Sequence, residues 1–366
     1  MNRYFVPFVT LRQQPTIVVD SVGLGAALTL AHWRGAATPV GLRDDTSAGS
    51  VLRALHHPET PGLEAPAVTA NHFDIDGFVG VWGLLNPALA LAHEPLLRLL
   101  ATLGDFRELE GQNPLAERVL QLACWLNAEE KARFYEPFGA PARQRREDEA
   151  SAEKFAWFLP RFAEILQNPS SGQAAWAPEF ERVRQAAGVM QGAQTQRTDY
   201  PEIGLVVIQT PQPQPYYALF GPTTGFDMVL SVYAGQRYEL ECKYTTWIDL
   251  ESRPTLPRLP LAPLAAALNE LERSGRQWVA DGPTDTGPQL RLGGTKKLTK
   301  AQRYADPDGR PIFPSSIAPE IMMQQVVGFL RRGYAGIQSK KYWTWAAVKA
   351  AGQSGRCETG SGYAPG

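Results

Sequence analysis

The chain has 366 residues, of which 44% are hydrophobic and 20% charged, with a formal net charge of −1. This is the composition of a globular chain long enough for two domains. The near-zero charge excludes a global field that would gather nucleic acid or an anionic membrane surface.

Three cysteines, Cys124, Cys242 and Cys357, stand far apart and form no CxxC pair. They read as free thiols of a reducing compartment rather than a zinc ribbon. The opening "MNRYFVPFVTLRQQP" carries no continuous apolar core and no small-residue cleavage site, and the longest apolar runs are interrupted by Asp20, His32 or Pro87. A cytoplasmic protein without a membrane partner is expected.

The first hundred residues alternate strand and helix. "TIVVDS" is a β-branched run ending at Asp20, and "VGLGAALTLAHW" a Gly-broken turn with a second run ending near His32. "TPVGLRDDTSAGSVLRALHH" gives a brief strand, an acidic turn at Asp44 and Asp45, and a helix capped by Thr46 or Ser47. "APAVTANHFDIDG" is the next strand, followed by the helical run "FVGVWGLLNPALALAHEPLLRLLATLG". Apolar strands between helices predict a mainly parallel sheet covered on both faces.

From Gly111 to Gln191 helical periodicity dominates, in "PLAERVLQLACWLNAEEKARFYEPF" and "ASAEKFAWFLPRFAEIL". The charged piece "ARQRREDEASAEK" between them reads as a solvated loop or helix face. Strands return in "IGLVVIQT", "YYALFG" and "FDMVLSVYAGQRYELECKYTTWIDL", with a hairpin at Ala234-Gly235. Two helices, "PLAAALNELERSG" and "SSIAPEIMMQQVVGFLRRG", flank a Gly- and Pro-rich stretch, "DGPTDTGPQLRLGGTKK", read as a flexible hairpin loop. The predicted plan is an α/β domain over 1–110, a helical connector over 111–194, a smaller mixed or antiparallel α+β domain over 195–350 and a loose tail over 351–366.

All five histidines precede residue 94, so imidazole chemistry belongs to the first domain. In "NHFDIDG", His72, Asp74 and Asp76 are spaced by two, which on a strand puts them on one face. Gly77 then allows a sharp turn into a helix. Strand C-termini of a parallel sheet are where ligands bind, and imidazole with several carboxylates suits a hard or borderline divalent cation such as Mn²⁺.

"HFDIDG" resembles the first motif of the DHH phosphoesterase superfamily, His-x-Asp-x-Asp-Gly. The resemblance implies metal-ligand and catalytic roles for His72, Asp74 and Asp76, one or two Mn²⁺ ions (or Mg²⁺ or another divalent metal), and a C-terminal domain that holds substrate. That family opens with this motif, whereas here three predicted strands precede it and no Asp-His-His motif follows. Further ligands are therefore expected from Asp20 and Asp105, then from Asp45 and its neighbour Asp44.

"FDIDG" is also similar to the nucleophile motif of haloacid-dehalogenase-type phosphatases. That likeness implies Asp74 as nucleophile and Asp76 as general acid, although Phe78 stands where threonine is usual. A binding protein that keeps the fold without catalysis is the third reading.

In the second domain Ser252, Arg253, Lys243 and Arg258 are the candidate substrate-binding residues, because arginines after a strand can fork onto a phosphate. The expected substrate is a small phosphorylated molecule or short nucleotide. Lys340-Lys341 beside Tyr342 and Trp343 give a basic-aromatic interleaving, but at this net charge an extended nucleic acid is not expected.

Overall fold

The computed structural model describes residues 2–11, 14–23, 25–134, 147–243, 245, 247–283, 288–293 and 305–354. The chain divides into two compact units, 1–184 and 185–366. The architecture is mixed α/β, with a parallel sheet, a helical region and a second, mixed sheet.

In the first unit β1 (Tyr4–Phe5), β2 (Thr16–Val19), β3 (Leu28–Leu30) and β4 (Ala67–Thr69) form one sheet in the order β1-β4-β2-β3. Every pairing in it is parallel. β2, β3 and β4 are buried along their whole length, the condition that gives continuous apolar strands. From β2 the chain passes to β3 on one side, and β4 then lies on the other side of β2. At such a reversal the connections leaving neighbouring strands part and open a crevice at their C-terminal ends.

α1 (Ser47–Leu55) lies between β3 and β4, and α2 (Ile75–Leu85), α3 (Pro87–Ala92) and α4 (Glu94–Phe106) follow β4. The single helical run read after the motif is cut into three by prolines in the first turns of α3 and α4, where the missing N–H costs nothing. Helices α5 (Ala116–Phe134), α6 (Glu147–Phe158) and α7 (Phe162–Gln167) come next. An aromatic cluster ties them to the motif. Phe73 stacks on Phe158 at 5.0 Å, while Phe78 and Trp82 meet Phe162 edge-on at 5.1 and 5.0 Å. The helices that the sequence suggested as a connector thus pack, up to Arg184, within the first unit.

Two local expectations fail here. The brief strand expected near Pro39 is a one-turn 3-10 helix, Val40–Leu42, entered from Pro39, and Val40 is exposed rather than in a sheet. The third strand before the motif is instead Tyr4–Phe5, too short to show an alternation.

The second unit holds β5 (Gln196–Tyr200), β6 (Leu205–Thr210), β7 (Met228–Tyr233), β8 (Arg237–Cys242), β9 (Trp278–Ala280) and β10 (Pro288–Leu292). Their order is β5-β6-β7-β8-β10-β9, with β6 and β7 parallel and the other pairs antiparallel. The β7–β8 hairpin turns through Gly235 and Gln236, both at positive φ (74° and 55°). One sheet face packs Val207, Leu230, Leu240 and Leu290 against residues of the helices Ala262–Leu271 and Pro319–Gly333. "YYALFG", expected as a strand, is a one-turn helix, Tyr216–Leu219, because Pro215 presets its start and Tyr216, Leu219 and Phe220 pack on the other face. Part of the stretch expected as a flexible loop is strand β10. Residues 284–287 and 294–300 of that region, 142–146 of the charged piece, Tyr244, Cys357 and 355–366 of the expected tail lie outside the described residues.

Two stability tests follow from this packing. A Cβ at Gly80 of α2 would lie 2.7 Å from Cγ1 of fully buried Val19, at the end of β2. Helix propensity alone makes Gly→Ala favourable by about 1 kcal/mol, but overpacking costs about 1–3 kcal/mol. Gly80→Ala is therefore expected to lower the urea midpoint, and a raised midpoint contradicts this packing.

Glu272 of the second unit is ringed by donors. Its carboxylate accepts hydrogen bonds from the N–H groups of Arg273, Ser274 and Ser316, both serine hydroxyls Ser315 and Ser316, and the Trp278 indole, at 2.6–3.1 Å. Burial pushes its pKa up, but the Ser315, Ser316 and Ser274 donors outweigh that and hold it well below the usual carboxylate range. A depressed folded pKa stabilises fully above the unfolded value of about 4.3, and that stability is lost as pH falls below it. Glu272→Gln is expected to cost about 2–3 kcal/mol at pH 7 and to flatten the acid limb of a stability-against-pH curve.

Candidate metal centre

The site is built on three strand ends. Asp20 directly follows β2, in the left-handed region at φ 48°. This conformation costs an L residue about 1 kcal/mol or more and is held only where its surroundings demand it. His32 lies just past β3. Beyond β4 the chain leaves the sheet at Thr69, so His72 and Asp74 stand on a loop and Asp76 in the first turn of α2. The motif residues thus converge through a loop and a helix start, and strand alternation is not what joins them.

The two motif carboxylates hold two different helices. Asp74 is the N-cap of α2 and accepts the Gly77 N–H at 2.8 Å. Asp76 reaches across to α1, accepting the N–H groups of Ser47 and Ala48 at 2.7 and 2.8 Å. Thr46, one of the two expected caps, caps α1 through Gly49 N–H. Gly77 is not a turn residue. A Cβ there would sit 3.1 Å from Asp74 Oδ1 and 3.3 Å from Asp20 Oδ2, so glycine leaves room for two carboxylates to approach.

Asp20, His32 and Asp76 form one group, and Asp20, His72 and Asp74 another, each with its potential ligand atoms within 4.8 Å of one another. Asp20 belongs to both. Its Oδ1 lies 3.6 Å from His32 Nε2, and its Oδ2 lies 3.2 Å from His72 Nε2. Trp33 Nε1 and the Ser47 hydroxyl donate to Oδ1 at 2.8 and 2.7 Å and fix the carboxylate's orientation. His32 Nε2 is also 3.7 Å from Asp76 Oδ2 and 3.3 Å from Asp105 Oδ2 at the end of α4. His72 Nε2 is 3.0 Å from Asp74 Oδ2.

Both imidazoles are turned the same way. His32 Nδ1 faces the Asp45 carbonyl at 2.5 Å, and His72 Nδ1 faces the Asn71 side-chain oxygen at 2.6 Å. An oxygen that only accepts requires Nδ1 to carry the hydrogen, which leaves Nε2 with its lone pair in the neutral ring. A neutral ring therefore needs a shared proton or a cation between Nε2 and the carboxylate oxygens, whereas a protonated ring donates to them, as in the 3.0 Å contact of His72 with Asp74. The donor set of two imidazole nitrogens and several carboxylate oxygens fits a hard or borderline divalent ion.

The electrostatics agree. Burial, with the Asp74 charge next, raises the Asp20 carboxyl to about 7 against the pull of His72. Burial and Asp74 likewise raise Asp76 to about 7, despite its bonds from Ala48 and Ser47. Asp105 is pushed well above the usual range by burial and by Asp76, Asp74 and Asp20. Asp74 also feels burial, but His72 and the Gly77 N–H together bring it below its ordinary value. It is also the most open of the set: the side chains of Asp74 and His72 are 39% and 22% exposed, against 0% for Asp76 and 1% for His32.

Of the residues picked from sequence, His72, Asp74, Asp76, Asp20 and Asp105 come together. Asp45 enters through its main-chain carbonyl on His32, not through a place in either ligand group. Asp44 instead pairs with Arg53 and Arg98 at 2.6 and 2.8 Å. His32 is the residue that sequence reasoning passed over, and its place at the end of a predicted strand was the available signal. His56 and His57 lie apart, against Glu94 and Glu59.

The expected substrate-binding residues belong to the second unit. Lys243 Nζ donates to the Thr223 carbonyl at 2.6 Å, Arg258 donates to the carbonyls of Lys243, Cys242 and Pro283, and Arg253 pairs with Asp227 at 2.7 Å. Ser252 is exposed. The basic-aromatic run is also engaged in that unit: Lys341 and Tyr342 bond Glu251, and Trp343 bonds the Thr255 carbonyl. Among the described residues no helix is long and apolar enough to cross a membrane.

Residues 1–341 match the Family of unknown function (DUF6687), and the chain belongs to that family. No curated protein and no solved structure matches it.

Two tests belong to this geometry. In cation-free protein the raised carboxyls keep protons that an unfolded chain releases near pH 4, so folding stability falls as pH rises from about 4 to 7. A divalent cation displaces those protons. Its affinity is expected to climb with pH to a plateau above 7, with proton release visible by calorimetry in buffers of differing ionisation heat. An affinity that is flat from pH 5 to 7.5 contradicts the site. Ser47→Ala removes the hydroxyl that bonds Asp20 Oδ1 and accepts the His32 N–H. It is expected to weaken Mn²⁺ binding by about 10–100-fold, with circular dichroism unchanged.

Proposed function

We propose that this member of the family is a divalent-metal-dependent, phosphoesterase-like hydrolase that acts on a phosphate ester or nucleotide-type substrate. The observation that carries this reading is Asp20, which turns one oxygen toward each of two imidazole-carboxylate groups. That is the disposition of a carboxylate shared by two ions. When bound, a pair of cations such as Mn²⁺ or Mg²⁺ supplies Lewis acidity at a phosphoryl oxygen and makes water easier to deprotonate.

The protein's own residues divide the remaining work. His32, Asp76 and Asp105 form the buried wall, and the N–H groups of α1 hold Asp76 in place. His72 and Asp74 form the open edge, where an ester and a water can reach the site. Trp33 and Ser47 keep Asp20 from rotating, so both of its oxygens stay aimed.

The aspartyl-phosphate reading is weaker on these residues. It needs Asp76 as a general acid facing substrate, yet Asp76 is fully buried with both oxygens accepting helix N–H groups. Cys124 and Cys242 are not joined in a disulfide, which suits a reducing compartment, and we place the protein in the cytoplasm.

The test is hydrolysis of p-nitrophenyl phosphate, bis(p-nitrophenyl) phosphate and a panel of nucleotides with Mn²⁺. Activity should vanish with EDTA and return with Mn²⁺. Asp20→Asn should lower kcat/KM by about 100-fold or more, at or beyond the upper end of the loss seen when only a group supporting a ligand is removed. Tight Mn²⁺ binding with no hydrolysis of any of these leaves a non-catalytic binding protein and sinks the hydrolase reading.

A further inference from the structure

The two ligand groups differ in surroundings. Asp20, His32 and Asp76 are all buried, whereas His72 and Asp74 are only half-buried, with side chains 22% and 39% exposed. A cation in the inner group has little contact with water, and one in the outer group can exchange.

Charge separates them further. Asp20, Asp74, Asp76 and Asp105 crowd around two imidazoles. Among the described residues no lysine or arginine pairs with any of the four carboxylates. With neutral rings and every carboxylate proton displaced, the four carboxylates total −4; one divalent ion then leaves −2 and two leave 0. A phosphate that meets the singly loaded site is repelled at short range in a partly buried setting. Helix N-termini, the usual alternative for an anion, give no help here. Asp76 occupies that of α1 and Asp74 that of α2.

We propose that the inner group holds a resident cation and that a phosphoanion binds only together with a second cation seated on Asp20, His72 and Asp74. The ligand class is thus a divalent cation–phosphoanion chelate, and the free anion is excluded. This rests on the two-ion reading above and adds an order of binding to it. Linkage makes the coupling mutual: if the outer ion is needed for the anion, the anion tightens the outer ion by the same factor.

The experiment uses the full chain stripped with EDTA and then freed of chelator. Mn²⁺ is titrated with and without inorganic phosphate, followed by calorimetry and by tryptophan fluorescence, since Trp33 packs edge-on to His72 at 5.8 Å. We expect one tight ion and a second at least about tenfold weaker, with phosphate tightening only the second by about tenfold or more, within the usual range of coupling between sites. At one equivalent of Mn²⁺ phosphate should not bind. His72→Ala should keep the tight ion and lose phosphate binding at any Mn²⁺ level.

Two equal ions in the absence of phosphate overturn the proposal but leave the hydrolase reading standing. Phosphate binding at one equivalent, or undiminished in His72→Ala, overturns it as well. No bound Mn²⁺ at all overturns both readings together.

Discussion

The arrangement around the first unit's site turns on one electrostatic fact: several carboxylates have been brought into a mostly buried space where they repel one another. Burial and mutual repulsion raise Asp20, Asp76 and Asp105, so the cluster is costly unless protons or cations neutralise it. Much of the local structure serves to hold these groups against that repulsion. Asp76 is fixed by two N–H groups of α1, Asp74 by the start of α2, and Asp20 by an indole and a hydroxyl. Each of these three carboxylates thus has an anchoring role that is independent of any ion, which gives the pocket a defined shape.

The same bonds couple the site to the fold. Asp76 links α2 to α1, so the two helices that flank the sheet share one carboxylate. Glycines let these parts come close: Gly80 brings α2 onto Val19, and Gly77 gives Asp20 and Asp74 room. Behind the motif, Phe73 and Phe78 are wedged into the aromatic cluster of α6 and α7. The loop between β4 and α2 is therefore clamped on its apolar side while its polar side faces the site.

Much of this was legible in the sequence, and the failures have physical causes. β2, β3, β4 and the cap at Thr46 follow from apolar runs and capping chemistry, because local sequence decides them. The Asp-Asp-His convergence was half legible. Asp20 and Asp105 could be named from strand-end and helix-end positions, but the pairing of Asp76 with α1 joins residues far apart in sequence. His32 was hidden because "LTLAHW" reads as an apolar strand whose last polar residue looks like an interior histidine. Its role emerges only when Asp45, from another segment, fixes the ring. "YYALFG" misled for the opposite reason: aromatic residues favour strands, yet Pro215 and the packing of Tyr216 and Phe220 impose a helical turn.

The second unit shows how basic residues mislead a search for an anion site. Lys243 and Arg258 look like phosphate ligands in sequence, but each is buried and donates to main-chain carbonyls, where a cation satisfies groups that would otherwise lose their water. Arg310 does the same for side chains. It forks onto Glu239 at 3.0 and 2.6 Å, touches Glu241 at 3.1 Å and takes in the Tyr216 hydroxyl at 2.7 Å. There, buried carboxylates are matched by a guanidinium that cannot leave. Among the described residues, the clustered carboxylates of the first unit have imidazoles but no lysine or arginine paired with them, and an imidazole carries a full charge only when protonated. Two buried acidic clusters in one chain are thus resolved differently. One is closed by arginine and is part of the framework, whereas the other has no such partner among the described residues, and it is on that difference that our proposal for the first unit's cluster rests.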